Sequence, residues 1–240
     1  MTVRATESAA TEALEATGTA DQVVTALVPL RGGPAGKSRL GVALGPDHRG
    51  RLVAHLARHV VDTLGATPGV GRVVVVTPDP EAAARDLEGT ATTVEVVRQP
   101  TTVHGLNPAL DHARGTLAGP SRLLVVHADL PGLTVEDVRA LLGLSSPVVV
   151  ATDRAGLGTN ALLLAGAGRA LELGFGAGSR RRHEAAAARR GLEATVVRRP
   201  GTGADLDTPA DWAALPLAVR DQVEAQVPGT RSALEGPAPH

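Results

Sequence analysis

The chain has 240 residues, a formal charge of −1, 43% hydrophobic and 20% charged residues, and no cysteine. That length suits one α/β domain with a continuous core, and the sequence excludes a membrane-spanning run, a disulfide framework and a thiolate metal site. Basic residues are scattered among acidic ones, which argues against nucleic acid as the main partner, and with Phe175 and Trp212 as the only aromatics there is no platform for stacking bases.

In chain order, Met1 to Gln22 is rich in Ala, Thr and Glu and lacks the apolar centre of a signal peptide, so residues 1–22 are predicted as a disordered tail on a cytoplasmic protein. Val23 to Leu30 reads as the first strand. His48 to Gly65 sets Leu52, Val53, Leu56, Val60 and Leu64 at helical spacing, and Arg72 to Thr77 is a Val run of the kind buried on both faces of a parallel sheet. The alternation continues with a helix over 81–87, a strand over 93–98, a helix over 107–117 and a strand over 123–127. Thr134 opens a helix to Leu142, with Glu136 and Asp137 in the first turn where carboxylates complement the helix dipole. Strands follow over 147–152 and 160–164, the second a candidate for antiparallel pairing, then a helix over 180–190 and a strand over 194–198. A short helix from Thr208 to Ala214 has Pro209 at its first position. This alternation specifies an α/β fold, three layers about a mostly parallel sheet, in one domain over residues 23–217. Residues 218–240 are predicted as an extension, largely disordered, being rich in Gly, Pro and Ala from about Pro228.

Open parallel sheets bind ligands beyond the C-terminal ends of their strands. Three loops there carry chemistry. Arg31-Gly-Gly-Pro-Ala-Gly36-Lys37-Ser-Arg39 follows the first strand; its glycines let backbone amides approach phosphate oxygens, and Lys37 and Arg39 add positive charge. A P-loop would need glycine where Arg31 stands, and the plainer reading is a flexible surface loop. Lys37 is the only lysine in the chain, which suits a site needing a compact ammonium. The second loop ends the strand at His127-Ala-Asp129-Leu-Pro. A carboxylate delivered there suits Mg²⁺, while the plain alternative is a turn residue, and His127 reads as a core or supporting residue. In the third, Asp205-Leu-Asp207, alternation points both carboxylates to one side, where they repel unless a cation lies between them. Asp207 reads alternatively as the cap of the helix beginning at Pro209. Two weaker segments, 153–160 and 175–183, combine small residues, hydroxyls and a helix start into anion pockets, and Arg180 to Arg182 reads as a solvated face that attracts anions.

Taken in order, the Lys37-Ser-Arg39-Leu loop, Gly105-Leu106-Asn107, Asp129-Leu-Pro, Gly158-Thr159-Asn160, Phe175-Gly176 with Ser179 and His183, and Asp205-Leu-Asp207-Thr-Pro-Ala-Asp211 resemble the CofC/FbiD family, the guanylyltransferases of coenzyme F420 biosynthesis. The resemblance implies a Rossmann-like nucleotidyltransferase fold of the GT-A or MobA type. It also implies transfer of GMP from GTP to a phosphorylated three-carbon acid: phosphoenolpyruvate, or alternatively 2-phospho-L-lactate or 3-phosphoglycerate. The Arg-for-Lys, Ala-rich composition looks actinobacterial, and within the family that favours phosphoenolpyruvate. By the same resemblance, Asp129, Asp205 and Asp207 would hold Mg²⁺, as two ions, and Thr159, Gly176 and Ser179 would bind the acid. Arg31, Gly36, Lys37, Leu106 and Asn107 would bind the nucleotide, with Lys37 and Arg39 as the catalytic cations on the triphosphate. The family commonly has lysine where Arg31 stands, and a guanidinium differs from it in reach and geometry. The product would pass to a downstream F420-forming transferase, and the oligomeric state is open, a homodimer included. Two rivals are a related enzyme acting on molybdopterin or a sugar phosphate, whose typical glycine-rich opening is absent, and a non-catalytic nucleotide-binding regulator.

Overall fold

The structure is a computed structural model that describes residues 23–31, 37–117, 119 and 122–236. The β-branched runs form a seven-stranded sheet among those residues, in the order β3-β2-β1-β4-β6-β5-β7. β1 (Val24–Pro29) lies between β2 (Val70–Thr77) and β4 (Arg122–Val126), parallel to both, and β2 pairs in parallel with β3 (Val94–Arg98). β5 (Val148–Ala151) pairs in parallel with β7 (Ala194–Val197), and β6 (Ala161–Ala165) is antiparallel to both β4 and β5. That reversal matters for function, because the start of β6 meets the C-terminal ends of its neighbours on one rim.

Period-two alternation sorts the side chains between the two faces. Ala26, Val28, Val73, Val75, Leu124 and Val126 pack under α1 (Pro46–Gly65), α2 (Pro80–Asp86) and α4 (Val135–Leu142). Leu27, Val74, Val76, Leu123 and Val125 pack against α3 (Leu106–Thr116) and α5 (Ser179–Arg189). The predicted elements recur with ends shifted by a few residues, as expected at fraying termini. No helix among the described residues is long and apolar enough to cross a membrane.

The C-terminal extension departs from the sequence-based expectation. After α6 (Pro209–Ala214) the chain forms α7 (Leu217–Gln226) and α8 (Thr230–Glu235) rather than a tail from about Pro228. Trp212, Val223, Val227 and Leu234 from these helices join Leu40, Leu44, Leu52, Leu56 and Leu206 in a third apolar cluster. Pro228-Gly229 is the punctuation between two short helices, with Gly229 taking φ 89° at the head of α8, and composition alone cannot distinguish a punctuated turn from disorder. The predicted tail over residues 1–22 lies outside the described residues. Trp212 is fully buried and donates its indole N–H to Glu235 at 2.9 Å. Trp212→Ala is expected to cost about 3–5 kcal/mol, read as a lowered midpoint in denaturant unfolding. An unchanged midpoint would mean that the cluster does not hold these helices down.

Candidate active site

The turn after β1 is anchored by Leu40, which is fully buried in the third cluster. Lys37 begins that turn with φ 55°, the only non-glycine positive φ among the described residues. Such a conformation persists only where the surroundings determine it. Here the Lys37 ammonium is held between the Asp129 and Asp207 carboxylates. Asp129 follows β4, and its carbonyl accepts the Leu206 N–H at 3.1 Å, tying the 205–207 segment to the β4 end. Leu206 is buried, so Asp205 and Asp207 face the other way, into a shared cavity. The cap of α6 is Thr208, in a reciprocal box with Asp211, which leaves the Asp207 carboxylate free of capping.

The electrostatics follow from this packing. Burial works against the Lys37 ammonium, but the two carboxylates outweigh it and raise its pKa. For Asp129, burial favours the neutral acid and Lys37 overrides it, holding the carboxyl below its usual range. Asp205 is pushed up, by burial first and then by the charge of Asp129, while a hydrogen bond from Asn160 at 3.0 Å to Oδ1 opposes the rise. One ammonium thus pairs with two carboxylates while the charge of Asp129 also bears on Asp205, and the buried Oδ1 of Asp129 has no hydrogen-bond partner. Among the described residues no three carboxylate or imidazole side chains are grouped as a metal cage requires; two of the three close on Lys37 instead. The donor chemistry nevertheless fits a hard divalent cation: oxygen ligands, an unpartnered buried oxygen and excess negative charge.

The cavity encloses about 790 Å³, within the range of small-molecule sites. It brings together Arg31, Lys37, Arg39, Leu106, Asp129, Thr159, Gly176, Ser179, Asp205 and Asp207 from distant parts of the chain. Gly36 lies outside the described residues. Asn107 does not reach the cavity as expected for a nucleotide-binding residue. From the first turn of α3 its amide clips the next loop, donating to the Phe175 carbonyl at 3.1 Å and accepting the Phe175 N–H at 2.7 Å.

Several supporting residues carry no decisive sequence signal. Asp153 accepts the N–H groups of Leu157 and Gly158, both at 2.8 Å, and so shapes the loop leading to Thr159. Asn160 bridges the Thr202 carbonyl and Asp205, a role that becomes visible only when β6 is placed next to the 202–205 loop. Gln99 and His127 also line the cavity. Gly176 (φ 111°) and Gly178 (φ 69°) turn the chain into α5 in a conformation open to glycine, and Ser179 begins the helix at the cavity wall.

His183 is fully buried between Thr159 and the Gly174 amide. Burial, followed by Arg182 and His127, pushes its pKa from 6.5 down to about 4. An unfolded chain takes up this proton near 6.5 and the folded one only near 4. The stability held by the neutral ring is therefore complete above that window and is lost as pH falls through it, by roughly 1.4 kcal/mol per pH unit. Urea unfolding across that window should show a steeper acid decline for the wild type than for His183→Gln. Equal slopes would show that the ring is not held neutral.

Comparison with known proteins gives a consistent result. The family described as "Guanylyl transferase CofC like" matches residues 24–223. A protein of Rubrobacter xylanophilus named phosphoenolpyruvate guanylyltransferase is 41% identical over 199 residues, covering 80% of this chain and 93% of its own length. One of the same name from Sphaerobacter thermophilus is 40% identical over 190 residues, covering 78% and 89%. Among solved structures, a putative nucleotide-diphospho-sugar transferase of Desulfovibrio desulfuricans G20 superposes with a TM-score of 0.71 at 15% identity, covering 88% of this chain and 96% of the other. A nucleotidyl transferase of Methanothermobacter thermautotroptrophicus gives 0.60 at 20% identity, covering 85% and 98%. The mostly parallel three-layer sheet is the nucleotidyltransferase fold expected from the sequence.

Proposed function

We propose a reaction on the premise that the chain belongs to the CofC-like family of guanylyl transferases: transfer of GMP from GTP to phosphoenolpyruvate, giving enolpyruvyl-2-diphospho-5'-guanosine and pyrophosphate. The observation that carries it is the partition of the cavity. Cations at Arg31, Lys37 and Arg39 and the carboxylates of Asp129, Asp205 and Asp207 line one chamber with hydroxyls at Thr159 and Ser179. That arrangement suits two anionic substrates meeting where cations and carboxylates lie side by side. Phosphoenolpyruvate is favoured over 2-phospho-L-lactate and 3-phosphoglycerate because both relatives described above carry it in their names.

The apolar wall of Leu30, Val76, Leu106 and Ala109 offers space for the base, with Gln99 beside it as a hydrogen-bonding group. Arg31 and Arg39 hold the triphosphate. Thr159, the backbone at Gly176 and Ser179 orient the acid. A phosphate oxygen of the acid attacks the α-phosphorus of GTP as the bond to the β-phosphate bridging oxygen breaks, and pyrophosphate departs. The nucleophile is ionised at neutral pH, so no side chain has to remove a proton. Magnesium, when bound by Asp129, Asp205 and Asp207, supplies neutralisation of the charge on the triphosphate. The same reading puts the enzyme in the cytoplasm and hands its product to a downstream F420-forming transferase.

The test is pyrophosphate release from GTP and Mg²⁺ with each of the three acids supplied separately and a downstream F420-forming enzyme with its deazaflavin acceptor present to draw the product forward. Release with phosphoenolpyruvate alone is expected. Release with another acid would replace the acceptor, and silence with all three would overturn the reaction.

A further inference from the structure

The hydrogen bonds around His183 determine which way a proton in the cavity wall points. The Gly174 N–H lies 3.0 Å from Nε2, and a backbone amide can only donate, so Nε2 carries a lone pair. A neutral imidazole then has its proton on Nδ1, which lies 3.0 Å from Thr159 Oγ1. Nδ1–H is the donor and the threonine oxygen accepts. Thr159 lines the cavity, and among the described residues its hydroxyl pairs with His183, so that its own proton is left for whatever occupies the cavity.

We propose that His183 is a positioning residue that locks the Thr159 hydroxyl as a one-way donor into the cavity, making this subsite selective for an oxyanion oxygen over any group that must itself donate. The lock is held from behind. Phe175 meets the His183 ring edge-on at 5.0 Å and 72°, and both ends of the Asn107 amide clamp the Phe175 backbone. Asn107, Phe175, His183 and Thr159 thus form one chain of contacts from α3 to the cavity. Burial keeps the imidazole neutral down to about pH 4, so the tautomer and the direction of the threonine proton hold through the physiological range. The identity of the anion rests on the reaction proposed above, whereas the tautomer and the direction of donation do not.

Two measurements test the lock. Imidazole nitrogen–proton correlation spectra of the wild type should show His183 protonated on Nδ1 and bare on Nε2, unchanged from pH 7 to about pH 5, and should shift when phosphoenolpyruvate is titrated. Protonation on Nε2, or on both nitrogens, overturns the inference whatever reaction the enzyme performs. In kinetics, His183→Leu and Thr159→Val are each expected to raise KM for the acid by about ten- to a hundredfold with KM for GTP unmoved, the effect of losing a hydrogen bond to a charged group. The double variant should be no worse than Thr159→Val, because His183 acts through the hydroxyl; additive losses would overturn the coupling. His183→Asn, whose amide can donate to Thr159, should recover part of the loss. If His183→Leu does not fold, Thr159→Ser against Thr159→Val still decides whether the hydroxyl is the reading group. Absence of turnover with every acid would count against the reaction and leave the tautomer result standing.

Discussion

Asp129→Asn is expected to retain less than about a thousandth of wild-type turnover: under the proposed reaction Asp129 would hold Mg²⁺, and the several kcal/mol of charge stabilisation that the ion would supply would be lost with this carboxylate. The substitution keeps shape and volume but removes the negative charge that Lys37 balances and turns one oxygen into a donor facing the ammonium. Asp129 is the carboxylate best placed to matter. It sits at the end of a buried central strand, it has a buried unpartnered oxygen, and its carbonyl positions the segment carrying Asp205 and Asp207. Single-turnover assays with saturating GTP and phosphoenolpyruvate would separate the chemical step from binding. Near-normal turnover would remove Asp129 from the reaction. Asp205→Asn should be milder in stability, since that carboxyl is already pushed toward its neutral form by burial and by Asp129.

Lys37→Met should have the next largest effect, in two readouts. Turnover should drop by about two orders of magnitude or more if the ammonium also serves the triphosphate. Stability should fall because Asp129 and Asp207 would face each other without a counter-charge. Breaking a fully buried pair costs about 3–5 kcal/mol, and with Asp207 42% and Asp129 21% exposed solvent screening reduces that to roughly 1–3. Mg²⁺ should then raise the melting temperature of Lys37→Met more than that of the wild type, where the ion must compete with the ammonium already in place. An equal or smaller rise would show that Lys37 and the metal do not share the carboxylates.

Much of this architecture was legible in the sequence because its signals are local. Val runs mark buried strands, helical spacing marks α1, and Asp129 follows a run that reads as a buried strand. The antiparallel reversal at β6 was anticipated, and Asp205 and Asp207 were separated from Leu206 by simple alternation. What escaped were features that depend on distant partners. Asn107 reads as a nucleotide-binding residue on the loop after a strand, yet its amide pairs with a backbone 68 residues away. Whether Asp207 caps the helix or faces the cavity could be decided only from geometry, in which Thr208 takes the cap. The C-terminal helices were missed because their apolar residues are sparse and complete their cluster with the turn near Leu40 and with α1, which lie far away in sequence.

Lys37 offers one last practical opening. It carries the only side-chain amine in the chain, and that amine is 10% exposed and paired with two carboxylates. Apart from the α-amino group, amine-directed reagents therefore have a single target on the whole protein, sealed at rest. The rate at which mass spectrometry finds the tag there becomes a clock for release of the ammonium: slow in the free enzyme, faster when a divalent ion displaces it from the aspartates, and suppressed again once a triphosphate covers it.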